Sequence, residues 1–255
     1  MKTYEKISAL LISAAMIFAL TACGTVSDET DSTAQETNNA ATPDTSYAAP
    51  QITDLYNEDF DYTDGVGNVG HYSYRVPQIE ADTQGAEAIN EAISDEYSPI
   101  VEGVLENVSD KVSLSCLYVA WETYQYENIL SLVVSCGWDA DMNSYNVYLY
   151  DIESGRQLTT ADLLKALNTD EALFLEAVRQ AAAEKFDSQN SVIAGGDSSE
   201  LLTERRDWTL SGENINMNVR TYVDGAGTLH VILPVGSLAG AGSYEQVLTL
   251  DSISE

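Results

Sequence analysis

The clearest hydrophobic pattern in this chain of 255 residues is helical. Between residues 89 and 108, apolar side chains recur at intervals of three and four, which places them on one face of a helix. They are Ile89, Ile93, Tyr97, Ile100, Val104 and Val108. Pro99 lies within this stretch and predicts either a kink or a second helix capped by Ser98. The acidic residues fall off the apolar stripe, as expected for a solvated helix surface.

A second helical region is predicted between residues 159 and 186. Thr159 and Asp162 have the spacing of a capping box, which predicts a short helix through Leu167. We expect Asn168 to cap the helix that follows. Its apolar stripe consists of Phe174, Val178, Ala182 and Phe186.

Strand patterns surround these helices. The predicted strands are 71–76 (stopped by Pro77), 112–124, 128–138, 145–152, 208–210, 216–223, 228–233 and 246–250. We expect tight turns around 125–127 and at 224–227, and a loop at Gly195–Gly196. Because helices and strands are segregated along the chain, the predicted fold class is α+β: a largely antiparallel sheet with packed helices in a single globular domain.

The first 22 residues have the layout of a secretory signal peptide. Lys2 and Lys6 precede an apolar run, Ile7–Leu20, that is short for a membrane-spanning helix. The sequence Leu-Thr-Ala-Cys, ending at Cys23, resembles the bacterial lipobox, whose cysteine is lipid-modified and becomes the mature N-terminus. An ordinary signal peptide with an incidental cysteine is the alternative. Two acyl chains on Cys23 would suffice for stable anchoring, so we expect a lipoprotein on the extracytoplasmic face of the cell membrane.

Residues 23–50 predict a disordered tether that joins the lipid anchor to a folded domain, residues 51–255. The stretch 24–50 is mostly Thr, Ser, Asn, Ala and acidic residues, with no Lys or Arg. Such a segment cannot bury enough apolar surface to offset the entropy lost on ordering. The remaining length is enough for one domain with a sizeable core.

The charge balance is strongly acidic. The chain has 41 Asp and Glu against 11 Lys and Arg, which gives a formal net charge of -30. This charge repels phosphate backbones and therefore argues against a nucleic-acid partner. It would attract basic proteins and accelerate their association. Solubility of a surface protein is the alternative reason for the same acidity.

The motifs that could support a cofactor or metal site do not meet their requirements. Residues 65–70 satisfy the string G-x-G-x-x-G, but a strand rather than a helix follows, so a flexible glycine turn explains them better than a dinucleotide site. Asp139, Asp141 and Asn143 are spaced like the start of a calcium loop. Ser144 and Tyr150 then stand where an EF-hand has Gly and Glu, which leaves only loose cation binding by the Asp139–Asn143 loop.

The sequence also contains no recognisable catalytic constellation. His71 and His230 are each isolated within predicted strands. No nucleophile elbow and no paired-histidine metal motif is present. We therefore predict a protein that is not an enzyme and that requires neither a metal nor another cofactor.

Cys116 and Cys136 lie on the two arms of the predicted hairpin. If its turn centres on Tyr126, the two cysteines face each other across the strands, where a disulfide fits. An exported compartment permits their oxidation. Two free, buried thiols that act as small apolar residues are the alternative.

Several stretches carry a likeness to a known family. They are Tyr-Arg-Val-Pro-Gln-Ile at 74–79, Ile-Asn at 89–90, Asn-Ile-Leu-Ser-Leu at 128–132, Tyr-Asn-Val-Tyr-Leu-Tyr-Asp at 145–151, Ser-Gly at 154–155, Leu-Thr-Thr-Ala-Asp-Leu-Leu at 158–164, the stretch 229–233, and Gly-Ser-Tyr-Glu at 242–245 with Val247 and Leu250. Together they resemble the RsiV-like extracellular domain, found in the anti-sigma factor RsiV and ahead of the catalytic domain of the deacetylase PdaC. The chain departs from that family at 139–144, where an acidic segment replaces a glycine-rich loop.

In RsiV this domain binds host lysozyme, so the resemblance implies a protein-binding role. We therefore predict a non-catalytic, lipid-anchored module of the cell envelope that binds a basic protein such as lysozyme, or a cell-wall component such as peptidoglycan. The alternatives are a cell-envelope hydrolase that uses scattered carboxylates, and an accessory subunit of a wall enzyme or transporter.

Overall fold

The computed structural model describes residues 47–138, 142–191, 199–238 and 242–250. Within these ranges, two sheets and four helices form an α+β fold. The paired strands are antiparallel except for one parallel pair. The predicted fold class, a largely antiparallel sheet with packed helices, is therefore confirmed.

The larger of the two sheets has six strands that lie side by side in chain order. They are β1 (Gln51–Thr63), β2 (Val69–Glu80), β3 (Cys116–Tyr126), β4 (Ile129–Trp138), β5 (Met142–Asp151) and β6 (Arg156–Leu158). The small sheet consists of β7 (Arg220–Val223), β8 (Leu229–Gly236) and β9 (Ser243–Thr249). The helices are α1 (Gln84–Asp110), α2 (Thr160–Ala166), α3 (Glu171–Asn190) and α4 (Ser199–Thr209).

Helix α1 is one unbroken helix that runs through Pro99. The side chain of Thr83 accepts a hydrogen bond from the Ala86 N–H at 3.2 Å, which caps the N-terminus. The predicted second start at Ser98 is wrong. The predicted apolar stripe is buried at Ile89, Ile93, Tyr97 and Val104, and Val101 is buried beside it. Ile100 and Val108, the other two predicted residues, are partly buried and pack against the same core.

Strand β2 continues past Pro77 to Glu80, so the predicted stop at this proline is wrong. Pro77 lacks an N–H group, and proline within a sheet is tolerated where the ladder is irregular. The pairing of β1 with β2 shifts between Asp54 and Tyr56, and Pro77 is the partner of Asp54 in this register.

The β3–β4 hairpin turns at Glu127–Asn128, later than predicted. The paired residues include Tyr126 with Ile129 and Val119 with Cys136, and the register shifts between Cys116 and Tyr118. The predicted pairing of Cys116 directly with Cys136 is therefore wrong in register. Glu127 has a φ of 52°, which allows the chain to reverse so tightly.

The capping box at the start of α2 is confirmed. The Thr159 hydroxyl accepts from the Asp162 N–H, and the Asp162 carboxylate accepts from the Thr159 N–H. The predicted cap of α3 is wrong, because Asp170 rather than Asn168 accepts from the first N–H groups of that helix. Asn168 instead has a φ of 51° in the preceding turn.

The segment before the small sheet is also more helical than predicted. Trp208 lies in the last turn of α4, so the predicted strand at 208–210 is wrong. The chain then forms turns in which the Asn216 side chain donates to the carbonyls of Gly212 and Glu213. Strand β7 begins only at Arg220.

Two hydrophobic cores stabilise the fold. The first packs α1 against the larger sheet and includes Leu130 and Leu132 of β4. The second contains Ile129 of the same strand and joins the larger sheet to the small sheet and to α2 and α3. Neighbouring positions of a strand point to opposite faces, so β4 is covered on both sides. The predicted stripe of α3, from Phe174 to Phe186, is fully buried.

Candidate functional site

The outward face of α1 carries a line of carboxylates. Residues four apart on a helix are neighbours on its surface, and these carboxylates follow that spacing on either side of Pro99. The line consists of Glu87, Glu91, Asp95, Glu102, Glu106 and Asp110, and every one of them is exposed. We call this line the acidic ridge. A helix of this length spans about 40 Å, and the acidic ridge runs along nearly the whole outward face of α1.

The acidic ridge has no basic partner within the described part of the chain. Helix α1 itself contains no Lys or Arg, and no described Lys, Arg or His forms an ion pair with a ridge carboxylate. Glu102 accepts a hydrogen bond from the Tyr56 hydroxyl at 2.9 Å. Like charges four residues apart destabilise a helix, so the acidic ridge reduces the stability of α1.

The surrounding elements are equally poor in basic residues. Residues 51–138, which form β1 to β4 and α1, contain 16 acidic residues and only two basic ones, Arg75 and Lys111. Arg75 is already engaged, because Asp54 accepts hydrogen bonds from its Nε and Nη2. The same guanidinium lies 4.9 Å from the ring of Trp121. The negative potential of this half of the domain is therefore scarcely offset from within.

A tightly held turn connects β1 to β2 beyond the C-terminal end of α1. The Asp64 carboxylate accepts hydrogen bonds from the N–H groups of Val66 and Asn68 and from the Ser113 hydroxyl. The Gly65 N–H also donates to the Lys111 carbonyl at 2.8 Å. The G-x-G-x-x-G string thus lies at a hairpin turn, as the sequence suggested, but the turn is not flexible as predicted, because these contacts fix its conformation.

Three valines around this turn are exposed. Val66, Val69 and Val112 have exposed fractions of 83%, 75% and 48%. The hydroxyl of Tyr62 donates to the Val112 carbonyl at 2.9 Å, which holds the segment after α1 beside the hairpin. Apolar side chains presented on a fixed backbone suit contact with another molecule, because ordering them costs little further entropy.

The two histidines each pair with aspartates. Exposed His71 lies 3.0 Å from Asp61 and 3.6 Å from Asp59. His230 of β8 lies 3.1 Å from Asp224 and 3.3 Å from the Thr249 hydroxyl.

The second group resembles an Asp-His-hydroxyl triad, but its hydrogen bonds serve the fold. The Asp224 carboxylate also accepts from the N–H groups of Ala226 and Thr228, which fixes the β7–β8 turn. The hydrogen bond from His230 contributes most to lowering the pKa of Asp224. The ring of Tyr222 stacks on His230 at 4.8 Å and on Tyr124 at 5.4 Å, so this tyrosine lies between the histidine and a strand of the larger sheet.

The two described cysteines lie within the first core, and their sulfur atoms are 3.3 Å apart. Both are free thiols in this structure. The hydrogen bond between them lowers the pKa of Cys116 and raises that of Cys136. The structure thus brings together the two residues that the sequence paired, although by a different register.

One cavity lies away from the acidic ridge. It is an open depression of about 400 Å³ beside the hairpin turns, lined by Tyr126, Leu167, Thr169, Ala226, Gly227, Thr228, Leu229 and Leu250. The residues that line it include no Asp, Glu, Lys, Arg or His. Among the residues that the structure describes, no three His, Cys, Asp or Glu side chains are grouped so as to hold a metal ion.

Some predicted features fall outside the described residues. Cys23, the signal peptide and most of the predicted tether precede residue 47, and Asp139 and Asp141 lie in the gap between β4 and β5. Asn143 is described, and its side-chain oxygen accepts from the Tyr118 hydroxyl at 2.9 Å. Of the helices within the described ranges, none has the length and apolar character needed to cross a membrane.

Comparison with known proteins gives structural similarity alone. No known family profile and no curated protein sequence matches this chain. A DUF3298 family protein from Pseudomonas aeruginosa is similar in structure, with a TM-score of 0.46 and 9% identity over 80% of this chain and 91% of that one. A DUF3298 family member from Bacteroides fragilis gives a TM-score of 0.31 with the same identity and coverage.

Proposed function

We propose that this protein is a non-catalytic, lipid-anchored module of the cell envelope that binds a basic protein through the acidic ridge of α1. The observation that carries this proposal is the row of exposed carboxylates on α1 for which the described residues supply no counter-charge. A soluble surface needs charge, but it does not need one sign concentrated along a single helix.

A basic partner would gain from this arrangement in two ways. The uncompensated field of residues 51–138 would steer a cationic surface towards α1 and raise its association rate. Once bound, the cations of the partner would lie between carboxylates that repel one another in the free protein. Binding would thus relieve a repulsion that folding leaves in place.

The turn between β1 and β2 supplies the apolar part of the same surface. Val66 and Val69 are exposed near the end of α1, where Asp110 closes the acidic ridge. Protein interfaces combine apolar contact with a polar rim, and a charged ridge alone lacks the first of these. We therefore place the edge of the contact at this turn.

The kind of partner follows from charge and from the family likeness. Lysozyme is basic, and the domain that this sequence resembles binds lysozyme in RsiV. The change from a glycine-rich to an acidic segment at 139–144 adds further negative charge and so favours a cationic partner. A cell-wall fragment is the other ligand to be tested.

Calorimetric titration of the purified chain with lysozyme tests the binding proposal. We expect binding at low ionic strength that weakens steeply as salt is added. Lysozyme with acetylated lysines is the matched control, because acetylation removes the positive charges, and we expect it to bind at least tenfold more weakly. Binding of peptidoglycan fragments without any binding of lysozyme or basic peptides would contradict the proposed partner.

Anchoring is tested separately by the change Cys23→Ala. If Cys23 carries the lipid, the wild-type chain will sediment with membranes and the variant will not remain firmly bound to them. Equal membrane retention of both chains would contradict lipid anchoring without bearing on the binding proposal.

A further inference from the structure

Cys116 and Cys136 are placed for a covalent bond. Their sulfur atoms are 3.3 Å apart on neighbouring strands, within the hydrogen-bonded β3–β4 hairpin. The register shift between Cys116 and Tyr118 brings Cys116 towards Cys136, although the regular partner of Cys136 is Val119. Only a small movement of two side chains is needed to bring the sulfurs to bonding distance.

We propose that Cys116 and Cys136 form a structural disulfide as the chain folds after export. This inference rests on the proposed location outside the cytoplasm, where thiols are oxidised. Each thiol loses its proton, the Sγ–Sγ bond forms, and the two electrons reduce the disulfide of a thiol–disulfide oxidoreductase to a dithiol. One protein disulfide is thereby exchanged for another.

The position of the pair determines when the reaction occurs. Both residues belong to the first core, with exposed fractions of 2% and 1%. The carbonyl of Cys116 also accepts a 2.6 Å hydrogen bond from the buried Tyr74 hydroxyl. Because an oxidoreductase cannot reach sulfurs in such a place, oxidation must precede the packing of α1 over the hairpin.

Thiolate is the attacking species in this exchange, so one of the two cysteines must ionise while the hairpin is still accessible. The bond would cross-link two adjacent strands beneath α1 and restrict the unfolded chain between them.

Peptide mapping of the exported chain tests this proposal. The full chain is isolated from membranes, denatured without reductant in the presence of an alkylating agent, and digested. We expect a linked pair of peptides containing Cys116 and Cys136, lighter by two hydrogens than the sum of the free peptides. Two alkylated cysteines in membrane-isolated protein would overturn the disulfide while leaving export intact.

Two further measurements separate the disulfide from its proposed consequences. A chain that lacks residues 1–22 and remains in the cytosol should have both thiols alkylated, and a linked pair there would overturn the role of export. The reduced wild-type protein and the variant Cys116→Ala/Cys136→Ala should both unfold at a lower temperature than the oxidised protein. If reduction left the unfolding temperature of the wild-type protein unchanged, the structural role of the disulfide would be overturned.

Discussion

The Ser113 hydroxyl donates a hydrogen bond of 2.5 Å to Asp64, and so ties the segment after α1 to the turn between β1 and β2. The same carboxylate accepts from two backbone N–H groups of the turn. These contacts, led by the hydrogen bond from Ser113, lower the pKa of Asp64 to about 2. The ionised form of Asp64 is therefore part of what holds the turn in place.

This pKa predicts how stability depends on pH. An unfolded aspartate has a pKa of about 3.9, so between that value and the folded pKa the unfolded state binds more protons. The contribution of Asp64 is therefore complete above about pH 4 and is lost as the pH falls towards 2. We expect Asp64→Asn to be less stable at neutral pH and to lose less stability than the wild type over this interval.

Urea unfolding at a series of pH values measures this difference. The exposed Asp82 supplies the control, because Asp82→Asn leaves Asp64 and its hydrogen bonds in place and should keep the loss of stability that Asp64 causes. If the free energy of unfolding fell equally for Asp64→Asn and the wild type between pH 4 and 2, the ionised carboxylate would not hold the turn.

Two glycines of α1 should respond oppositely to the same change. A Cβ on Gly85 would lie 2.4 Å from the Gln157 backbone nitrogen, whereas a Cβ on Gly103 would meet nothing within 4 Å. We expect Gly85→Ala to destabilise the protein by about 1–3 kcal/mol through overpacking. Gly103→Ala should stabilise it by roughly 0.5–1 kcal/mol, because alanine loses less entropy in a helix. Thermal unfolding of both variants measures whether the two substitutions change stability in opposite directions. A change in the same direction for both would contradict the packing of α1 on β6.

Ser131 links the two sheets through one hydroxyl. It is fully buried in β4, donates to the Val223 carbonyl at 2.9 Å and accepts from the Val223 N–H at 3.3 Å. We expect Ser131→Ala to cost about 1–3 kcal/mol, because polar groups of β7 would lose a buried partner. Ser135→Ala on the same strand should cost less, since that hydroxyl is part-buried and makes one longer bond of 3.4 Å. Denaturant titration compares the two, and equal losses would contradict the bridging role of Ser131.

The acidic ridge should carry a measurable cost in stability. Glu91 and Glu106 each have a like charge four residues away on both sides. Each such pair destabilises a helix by about 0.2–0.5 kcal/mol, so Glu91→Gln or Glu106→Gln should raise the free energy of unfolding by roughly 0.4–1 kcal/mol at low salt. The gain should shrink as salt screens the charges. Glu184→Gln on α3 is the control and should have less effect, whereas a loss of stability in the α1 variants would contradict the repulsion.

Much of this fold could be predicted because its signals are local. The stripe from Ile89 to Val104 and the capping box at Thr159 depend on residues within one or two helical turns, and both are present. Strand β1 was not predicted, because acidic residues interrupt its apolar positions. The β propensity of Trp208 suggested a strand, but this residue lies within helix α4.

The candidate site was less visible for a different reason. Sequence spacing placed the acids off the apolar stripe of α1, but solvation explains such acids on most helices. Only the folded structure shows that, among the described residues, no Lys, Arg or His of the neighbouring elements forms an ion pair with the acidic ridge.

For the cysteines, the sequence did predict which two residues lie close together. Cys116 and Cys136 meet although the turn was misplaced, because the irregularity at Cys116 compensates for the shifted register.

The acidic ridge is tested most directly by comparing two triple variants of equal charge. One carries Glu87→Gln, Glu91→Gln and Glu106→Gln on α1, and the other carries Glu153→Gln, Glu184→Gln and Glu204→Gln, three exposed glutamates elsewhere in the domain. Both lose three negative charges, so a general charge effect would weaken lysozyme binding equally. If the acidic ridge is the contact, the first variant should bind lysozyme about tenfold or more weakly than the second at low salt, a difference of about 1.4 kcal/mol. Equal affinities for the two variants would contradict a binding site on α1.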